Sequence, residues 1–357
     1  MNDFINPKIF IAGTSRSGTT LMSNILNKHS DVWITGETHY FDDLRVKIAG
    51  GEQQPLSPEE AKRCQDYFLA LTHKLYGRGG DPEQGWMSRL ELKKLAERVG
   101  TDSDSYFEAF CRLQTQRYNK TQLGEKTPRH VFKIPEILAR YPEAKVVCMV
   151  RHPGGVIASY RNFWNSQWRN KDNRDGFETK EQLRIRNSYN PIIMSLMWKA
   201  AFNAALEARE QFGKSRVYIQ RFEDMVVYPE STLKALTAWL SLNYQPSMLE
   251  VPLINSSYSN DKVDFGVGFS NQSAHRWQDQ LSDGEIATFQ SCCGTLLGKA
   301  GYERESVHAP LALTWSWITL PFAMLRALLA NRSRISNIPN YVGQRLRLAM
   351  VPRSDNL

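Results

Sequence analysis

The sequence predicts an α/β fold in which helices cover a mainly parallel sheet. Short apolar segments alternate with stretches of helical periodicity, the pattern of strand–helix–strand units. A turn rich in glycine and hydroxyl side chains separates the first predicted strand from the first helix. The length of 357 residues suffices for one large core with appendages.

Apolar patterning places the individual elements. The predicted strands are short and apolar and span 8–12, 31–35, 145–150 and 216–220. The predicted helices have one apolar face and span 20–28, 155–165, 194–210 and 229–242. The last of them carries a proline in its first turn, which is typical of a helix start.

The remaining segments divide the chain into a main domain and a tail. We expect a main domain over 1–305, with a polar helical insert outside the sheet at about 42–124. Residues at about 160–190 are polar, basic and rich in tryptophan, and predict a loop or lid. We expect residues 306–357 to form a basic and apolar C-terminal helical tail.

Charge and cysteine content restrict the function classes. The net charge is +8, but the tail holds six arginines against one aspartate, which leaves +3 for the main domain. This distribution suits an anionic small ligand and argues against nucleic acid as a partner. Five cysteines without a CxxC motif predict reduced thiols, and no basic and apolar leader opens the sequence, so we expect a cytoplasmic protein.

The segment 13–20 predicts a loop that holds a phosphate at a helix N-terminus, because it follows a strand and opens a helix. Its glycine spacing makes the sheet P-loop-like, but Thr19 stands where nucleotidases carry lysine. Arg16 is the only cation in the loop, which suits a less charged anion than a triphosphate. The alternative is an ordinary turn whose glycines serve only its geometry. The predicted anion contacts are Ser15, Arg16, Ser17, Gly18, Thr19 and Thr20.

A second segment predicts a second anion site. Arg151 falls at the carboxyl end of the strand at 145–150, and Ser159 lies about one turn into the following helix. Both can face an anion beside the first loop, where arginine favours phosphate. The alternative is an arginine that simply lies on the surface after a strand. Two such strand ends suit a nucleotide with separate 5′ and 3′ phosphates.

Together, the segments 14–20 and 151–159 resemble the two nucleotide-binding motifs of the sulfotransferase superfamily, over a similarity from about Pro7 to Glu303. The resemblance implies the co-substrate 3′-phosphoadenosine 5′-phosphosulfate (PAPS). The first motif would hold its 5′-phosphosulfate, and Arg151 with Ser159 its 3′-phosphate. Arg221 to Met225 resembles the family's Tyr-Glu-Asp-Leu segment, with phenylalanine in place of tyrosine. His275-Arg276-Trp277 resembles a late basic element, through which Arg276 would reach the 3′-phosphate.

Two further segments resemble catalytic elements of the family. Glu37, in Gly36-Glu37-Thr38-His39, resembles the catalytic base of the tyrosylprotein-type branch. The segment 124–128 resembles the Glu-Lys-Thr-Pro element of glycan and bacterial sulfotransferases, in which Lys126 would stabilise the departing bridging oxygen. Glu125 is the alternative base, and His39 is a rival on titration grounds. The plain alternatives are an exposed loop glutamate and a solvated Glu-Lys pair.

Other functions remain open from the sequence. No histidine, cysteine and aspartate cluster has metal-ligand spacing, so we expect no metal. A P-loop phosphotransferase or nucleotidase is disfavoured by the missing loop lysine, and a non-catalytic membrane-associated protein by the two catalytic candidates. The motifs do not choose between glycan, lipid-linked, small-molecule and tyrosine hydroxyl acceptors, and they do not define an oligomeric state.

The tail has three interpretations. Ala309 to Leu325 contains 17 uncharged residues, including two tryptophans, and Pro321 interrupts it. It is somewhat shorter than the roughly 20 residues of a membrane span. It could be a buried helix, a transmembrane helix or a segment at a membrane surface, where the arginines meet anionic lipid. The third interpretation predicts a protein peripherally bound to a membrane.

Overall fold

The computed structural model describes residues 8–48, 55–73, 80–162, 183–252 and 268–332. The chain forms two compact units. The first comprises Met1–Met149, Ala204–Pro252 and Val267–Phe269, and the second Val150–Asn203, Leu253–Gly266 and Ser270–Leu357.

A five-stranded sheet organises the first unit and confirms the predicted α/β fold class. The strands are β1 (Ile9–Gly13), β2 (Val32–Thr35), β3 (Gln122–Lys126), β4 (Lys145–Val150) and β5 (Val217–Arg221), in the order β2-β3-β1-β4-β5. β1 pairs in parallel with β3 and β4, and β2 pairs in parallel with β3. The carboxyl ends of these strands therefore meet at one edge, where ligands bind in folds of this kind.

Each of the four helices predicted with bounds has a counterpart that agrees to within a few residues, and the other helices were not predicted individually. Those up to the fourth strand are α1 (Thr19–Asn27), α2 (Pro58–His73), α3 (Arg89–Val99), α4 (Ser103–Arg117) and α5 (Ile134–Arg140). Between the fourth strand and residue 240 they are α6 (Pro153–Asn162), α7 (183–188), α8 (Pro191–Phe212), α9 (Phe222–Val227) and α10 (Pro229–Leu240). The last are α11 (Gln272–His275), α12 (Trp277–Gln280), α13 (Asp283–Cys293), α14 (Leu296–Lys299) and α15 (Pro310–Asn331).

The strand β3 corrects the sequence analysis, which predicts no strand there and ends a helical insert near Gly124. Its sequence, Gln-Leu-Gly-Glu-Lys, has one large apolar residue, so no apolar pattern marks it. Glu125 is nevertheless fully buried and Lys126 is 5% exposed, which excludes the solvated Glu-Lys pair. The strand is polar because its last two side chains, Glu125 and Lys126, make hydrogen bonds at the carboxyl edge of the sheet.

The helices α2, α3 and α4 lie within the range 42–124, and α4 packs on the sheet through aromatic side chains. Phe10 on β1 contacts Phe107 of α4, with ring centroids 6.4 Å apart, and Tyr141 at 5.7 Å. Phe107 also stacks on Tyr40 at 4.8 Å. The Tyr40 hydroxyl donates to a carboxylate oxygen of Asp104 at 2.6 Å, which fixes the chain that follows β2.

The predicted lid falls largely outside the described residues. Of the range 160–190, residues 160–162 end α6 and residues 183–188 form α7, while 163–182 lie outside the described part. The second unit has its own apolar core, in which Trp277, Ile157 and Phe289 are buried together. His152 stacks on the Trp277 ring, with centroids 4.1 Å apart.

Replacement of Gly13 tests the close approach at the end of β1. A Cβ at this position would lie 2.2 Å from the carbonyl oxygen of Met149, and the φ of 134° disfavours any other residue. We expect Gly13→Ala to lower the stability of the full chain by about 1–3 kcal/mol, measured as a lower urea midpoint. Gly298→Ala is the matched control, because its added Cβ would meet nothing within 4 Å. Equal midpoints for the two variants would contradict this packing.

Candidate active site

The segment 13–20, for which the sequence predicts phosphate binding and which is called the phosphate loop below, joins β1 to the N-terminus of α1. Gly18 precedes the helix with a φ of 90° and provides no capping side chain, so the first-turn N–H groups of α1 are directed at the loop. A Cβ on Gly18 would lie 2.6 Å from Cδ2 of Phe222. Glycine is therefore required here by both conformation and packing, and Phe222, which replaces the family's tyrosine, packs on the loop.

The predicted contact residues take different positions in this loop. Ser17 is fully buried, and its hydroxyl approaches the carbonyl oxygens of Thr14 and Met149, the latter at 3.1 Å. In this conformation the Ser17 side chain closes the turn. Ser15 and Arg16 are half-buried, and Arg16 has a left-handed φ of 71°. Thr19 is buried on α1 and Thr20 is exposed, and both belong to the first turn of the helix.

An ion pair links the two catalytic candidates. The Lys126 ammonium donates to a carboxylate oxygen of Glu37 at 2.6 Å and to the Thr20 hydroxyl at 3.3 Å. Nε2 of His39 lies 3.3 Å from the other Glu37 oxygen. The strands β2, β3 and β1 are neighbours, so a carboxylate, an ammonium and the phosphate loop come together at their carboxyl ends. Both charged side chains remain partly accessible, at 16% for Glu37 and 6% for Lys126.

These partners set the protonation state of Glu37. Burial alone would raise its pKa, but the hydrogen bond from His39 and the charge and hydrogen bond of Lys126 outweigh burial and lower the pKa to about 2. Glu37 is therefore ionised at neutral pH. An ionised carboxylate can accept a proton, and its basicity depends on how closely Lys126 stays beside it.

Glu125 has a different environment. Its side chain is fully buried and accepts hydrogen bonds from the Thr38 N–H at 3.1 Å, the Thr38 hydroxyl at 2.9 Å and the Thr127 hydroxyl at 2.5 Å. Nδ1 of His130 lies 2.9 Å from its second oxygen. Burial would raise the pKa of Glu125, but the charge and hydrogen bonds of His130, Thr127 and Thr38 lower it. This carboxylate faces protein groups on all sides.

The alternation along β3 explains the Glu-Lys-Thr order. Glu125 binds Thr38, and the Thr127 hydroxyl accepts from the His39 N–H at 3.2 Å, so the two residues after Glu37 are held to this strand. Lys126, between them, points to Glu37 itself. The sequence analysis missed Thr38, Thr127 and His130, because threonine and histidine near a motif carry no signal of which carboxylate they will meet.

The predicted 3′-phosphate residues lie in the second unit. Arg151 follows the last residue of β4, its Nη2 donates to the Ser273 carbonyl at 2.8 Å, and its own carbonyl accepts from the Trp198 indole at 2.8 Å. Ser159 is buried on α6, which packs against α11 and α12, and Arg276 stands between those two helices. Burial lowers the pKa of Arg276. Arg151 therefore contacts α11, Ser159 lies on a helix that packs against α11 and α12, and Arg276 joins these two helices.

Two other features of the described residues bear on the chemistry. No group of three or more histidine, cysteine, aspartate and glutamate side chains within them could hold a metal ion. The five cysteines are all described, and each is a buried free thiol.

Comparison with known proteins identifies the family. The sequence model of the "Sulfotransferase family" matches residues 7–246, about two thirds of the chain. The protein belongs to the sulfotransferase family. The matched part includes the phosphate loop, Glu37, Lys126 and Arg151, but ends before Arg276.

Individual sulfotransferases and related proteins are only distantly similar. The nodulation protein NoeE of Sinorhizobium fredii is 22% identical over 313 residues, which cover 84% of this chain and 67% of the relative. The protein-tyrosine sulfotransferase of Drosophila melanogaster is 24% identical over 83% of this chain, which spans only 52% of that relative. The sulfotransferase domain of the Synechococcus PCC 7002 olefin synthase shares the fold, with a TM-score of 0.50 at 19% identity, over 85% of this chain and 98% of that domain.

Replacement of Lys126 tests the origin of the low Glu37 pKa. We expect Lys126→Met to raise the pKa of Glu37 above 2, because the neighbouring charge that favours the carboxylate is removed. The measurement is a pH titration of the side-chain carboxyl carbon by ¹³C NMR, assigned with Glu37→Gln. Glu37 should stay ionised over the pH range in which the native protein persists, and titrate within that range in the variant.

The matched control for this titration is Lys133→Met, which removes a lysine that pairs with Glu136 at 2.8 Å instead. It should leave the titration of Glu37 unchanged. If Glu37 titrated at the same pH in native protein and Lys126→Met, the ion pair would not be the cause of the low pKa.

Proposed function

We propose that this sulfotransferase transfers the sulfuryl group of PAPS to an acceptor hydroxyl, with Glu37 as the base and Lys126 at the leaving oxygen. The observation that carries the proposal is the 2.6 Å ion pair between these two side chains beside Thr20 of the phosphate loop. A base and a cation are the two groups that in-line sulfuryl transfer requires. Both stand at strand ends that adjoin the loop for which we propose an anion-binding role.

The proposed reaction balances around the sulfur atom. The acceptor oxygen forms a bond to sulfur as the bond from sulfur to the bridging oxygen breaks, and the bridging oxygen keeps the electron pair. The acceptor proton passes to the Glu37 carboxylate. The Lys126 ammonium stabilises the negative charge on the bridging oxygen, and adenosine 3′,5′-bisphosphate leaves.

Lys126 also couples donor binding to the strength of the base. The hydrogen bond from His39 and the charge of Lys126 lower the pKa of Glu37, which makes the carboxylate a weak base. A phosphosulfate in the loop would attract the ammonium away from Glu37, and the pKa of Glu37 would rise because the contribution of Lys126 would be lost. The base would therefore be stronger when the donor is bound, the direction of change that general-base catalysis favours.

Glu37 is a better candidate for the base than Glu125. The carboxylate of Glu125 is fully buried and already accepts hydrogen bonds from Thr38, Thr127 and His130, so an acceptor hydroxyl has no access to it. Glu37 is 16% exposed and adjoins the cation. We propose that Glu125 positions Glu37 through Thr38.

The donor contacts follow the family resemblance. We propose that Arg16 and the first turn of α1 hold the 5′-phosphosulfate, while Arg151, Ser159 and Arg276 hold the 3′-phosphate. The orphan N–H groups at Gly18 to Thr20 support the first assignment, since they suit an anion at a helix N-terminus. No metal is required, because arginine and lysine carry the compensating charge.

Binding of adenosine 3′,5′-bisphosphate tests the donor site. By isothermal titration without divalent metal, we expect micromolar affinity, reduced at least about tenfold by Arg16→Ala or Arg151→Ala, because a charge-assisted contact to phosphate is lost. Arg63→Ala, at an exposed position on α2, is the matched control and should bind normally. Undiminished binding in both variants, or tighter binding of MgATP, would overturn the donor assignment and favour a phosphotransferase.

Replacement of the two glutamates tests the base. Glu37→Gln should lower kcat by about 10²-fold or more while the affinity for adenosine 3′,5′-bisphosphate is retained, since a base acts in the transition state. Turnover is followed with labelled PAPS and an acceptor identified by labelling an extract of the source organism. Glu97→Gln, at an exposed position on α3, is the control. If Glu37→Gln keeps normal turnover while folded Glu125→Gln is inactive, the base is Glu125.

A further inference from the structure

The C-terminal helix α15 exposes most of its apolar side chains. Of the thirteen large hydrophobic residues that are exposed in the described ranges, seven lie on this one helix. The exposed fraction reaches 86% at Leu311 and 76% at Phe322. No residue of the helix is buried. A core helix is therefore excluded as the interpretation of this segment.

Six of these side chains form one stripe along the helix. They recur at alternating intervals of four and three residues and are Leu311, Trp315, Ile318, Phe322, Leu325 and Leu329. This spacing places them on a single face. With 22 residues, the helix is about 33 Å long, and it is long and apolar enough to cross a membrane by length and composition.

Contacts at both ends hold the helix to the rest of its unit. Near its start, Ala312 packs against Gly284 of α13, and the Ser316 hydroxyl lies 3.4 Å from that of Thr288. Near its end, Arg326 donates to the carbonyls of Asn187 and Tyr189 at 3.0 and 3.1 Å. A helix that crossed a bilayer would have to give up these contacts. Their position favours a helix that lies along a surface.

The charges around the stripe indicate what covers it. Arg326 is the only charged residue within α15, so the stripe lacks the flanking charges that pair helices in a coiled coil. The sequence after the helix is basic, with Arg332, Arg334, Arg345, Arg347 and Arg353 against Asp355. Apolar side chains with tryptophans, followed by arginines, complement a bilayer surface that carries anionic lipid.

We propose that α15 binds the surface of an anionic membrane, with its stripe inserted among the headgroups and its axis in the plane of the bilayer. The contacts of Ala312 and Ser316 with α13, and of Arg326 with the chain at 187–189, stay in place. This inference does not depend on the proposed catalytic function, because it uses no residue of the active site.

Co-sedimentation of the full chain with vesicles tests the proposal. The protein should sediment with vesicles of phosphatidylcholine and phosphatidylserine, less so with phosphatidylcholine alone, and less at high salt. The variant Trp315→Gln, Ile318→Gln, Phe322→Gln should need at least about tenfold more lipid for half-binding, because it removes apolar area from the stripe. Its melting temperature and its affinity for adenosine 3′,5′-bisphosphate should match the native protein, which shows that it is folded.

The matched control is Val46→Gln, Leu90→Gln, Tyr228→Gln, which removes three exposed apolar side chains elsewhere and should bind vesicles normally. If the native protein stayed in the supernatant, or the stripe variant bound like the native protein, the proposal would be overturned. The same holds if light scattering showed a dimer that only the stripe variant disrupts, since a second copy would then cover the face.

Quenching of tryptophan fluorescence by brominated lipids tests the orientation. Trp315 belongs to the stripe and would lie at headgroup depth in an in-plane helix, so lipids brominated near the glycerol should quench more than lipids brominated near the chain ends. Trp315→Phe, Trp317→Phe should abolish most of this quenching. Stronger quenching by the deep label would show a spanning helix and overturn the in-plane arrangement.

Discussion

The buried carboxylate of Glu125 is the constraint on which the geometry of the active site depends. An ionised group that is fully removed from water is costly unless hydrogen bonds satisfy its oxygens. The Thr38 N–H and hydroxyl, the Thr127 hydroxyl and His130 do so. Because Thr38 follows Glu37 directly, the hydrogen bonds that compensate the charge of Glu125 also hold the segment that carries Glu37 against β3. Loss of the Thr38 hydroxyl would therefore weaken the attachment of this segment and would also leave the buried charge of Glu125 with one hydrogen bond fewer.

The pair of Glu37 and Lys126 depends on this arrangement and supplies the base and the cation of the mechanism that we propose. The two opposite charges lie 2.6 Å apart, are only slightly exposed and stabilise one another. Each also has a second contact, Glu37 with His39 and Lys126 with Thr20. Lys126 also contacts Thr20, so it is already at the edge of the phosphate loop. An anion in that loop would compete with Glu37 for the same ammonium. In the proposed mechanism, one lysine would thereby link the charge of the donor to the protonation of the base.

The sequence predicted the architecture better than the environment of its site. Apolar strands such as 145–150 have the predicted bounds, and the loop before α1 was recognisable from its glycines. The strand β3 was not recognisable, because it ends in Glu125 and Lys126. The partners of these side chains, Thr38 and Glu37, are distant in the sequence and become neighbours only in the folded protein. The same cause hid the roles of Thr38 and Thr127, whose partner lies 87 and 2 residues away in the chain. Local pattern alone therefore left Glu125 open as an alternative to Glu37 for the base.

For the C-terminal helix, the sequence is compatible with several interpretations, and the exposure and contacts of its side chains distinguish between them. A run of 17 uncharged residues is compatible with a core, a membrane span or a surface helix. The 76% exposure of Phe322 excludes the core, while the contacts of Arg326 with two backbone carbonyls oppose a span. A bilayer surface satisfies both observations, because it can cover the stripe while the contacts of Arg326 remain. The helix would then hold the unit that carries Arg151 and Arg276 at a membrane.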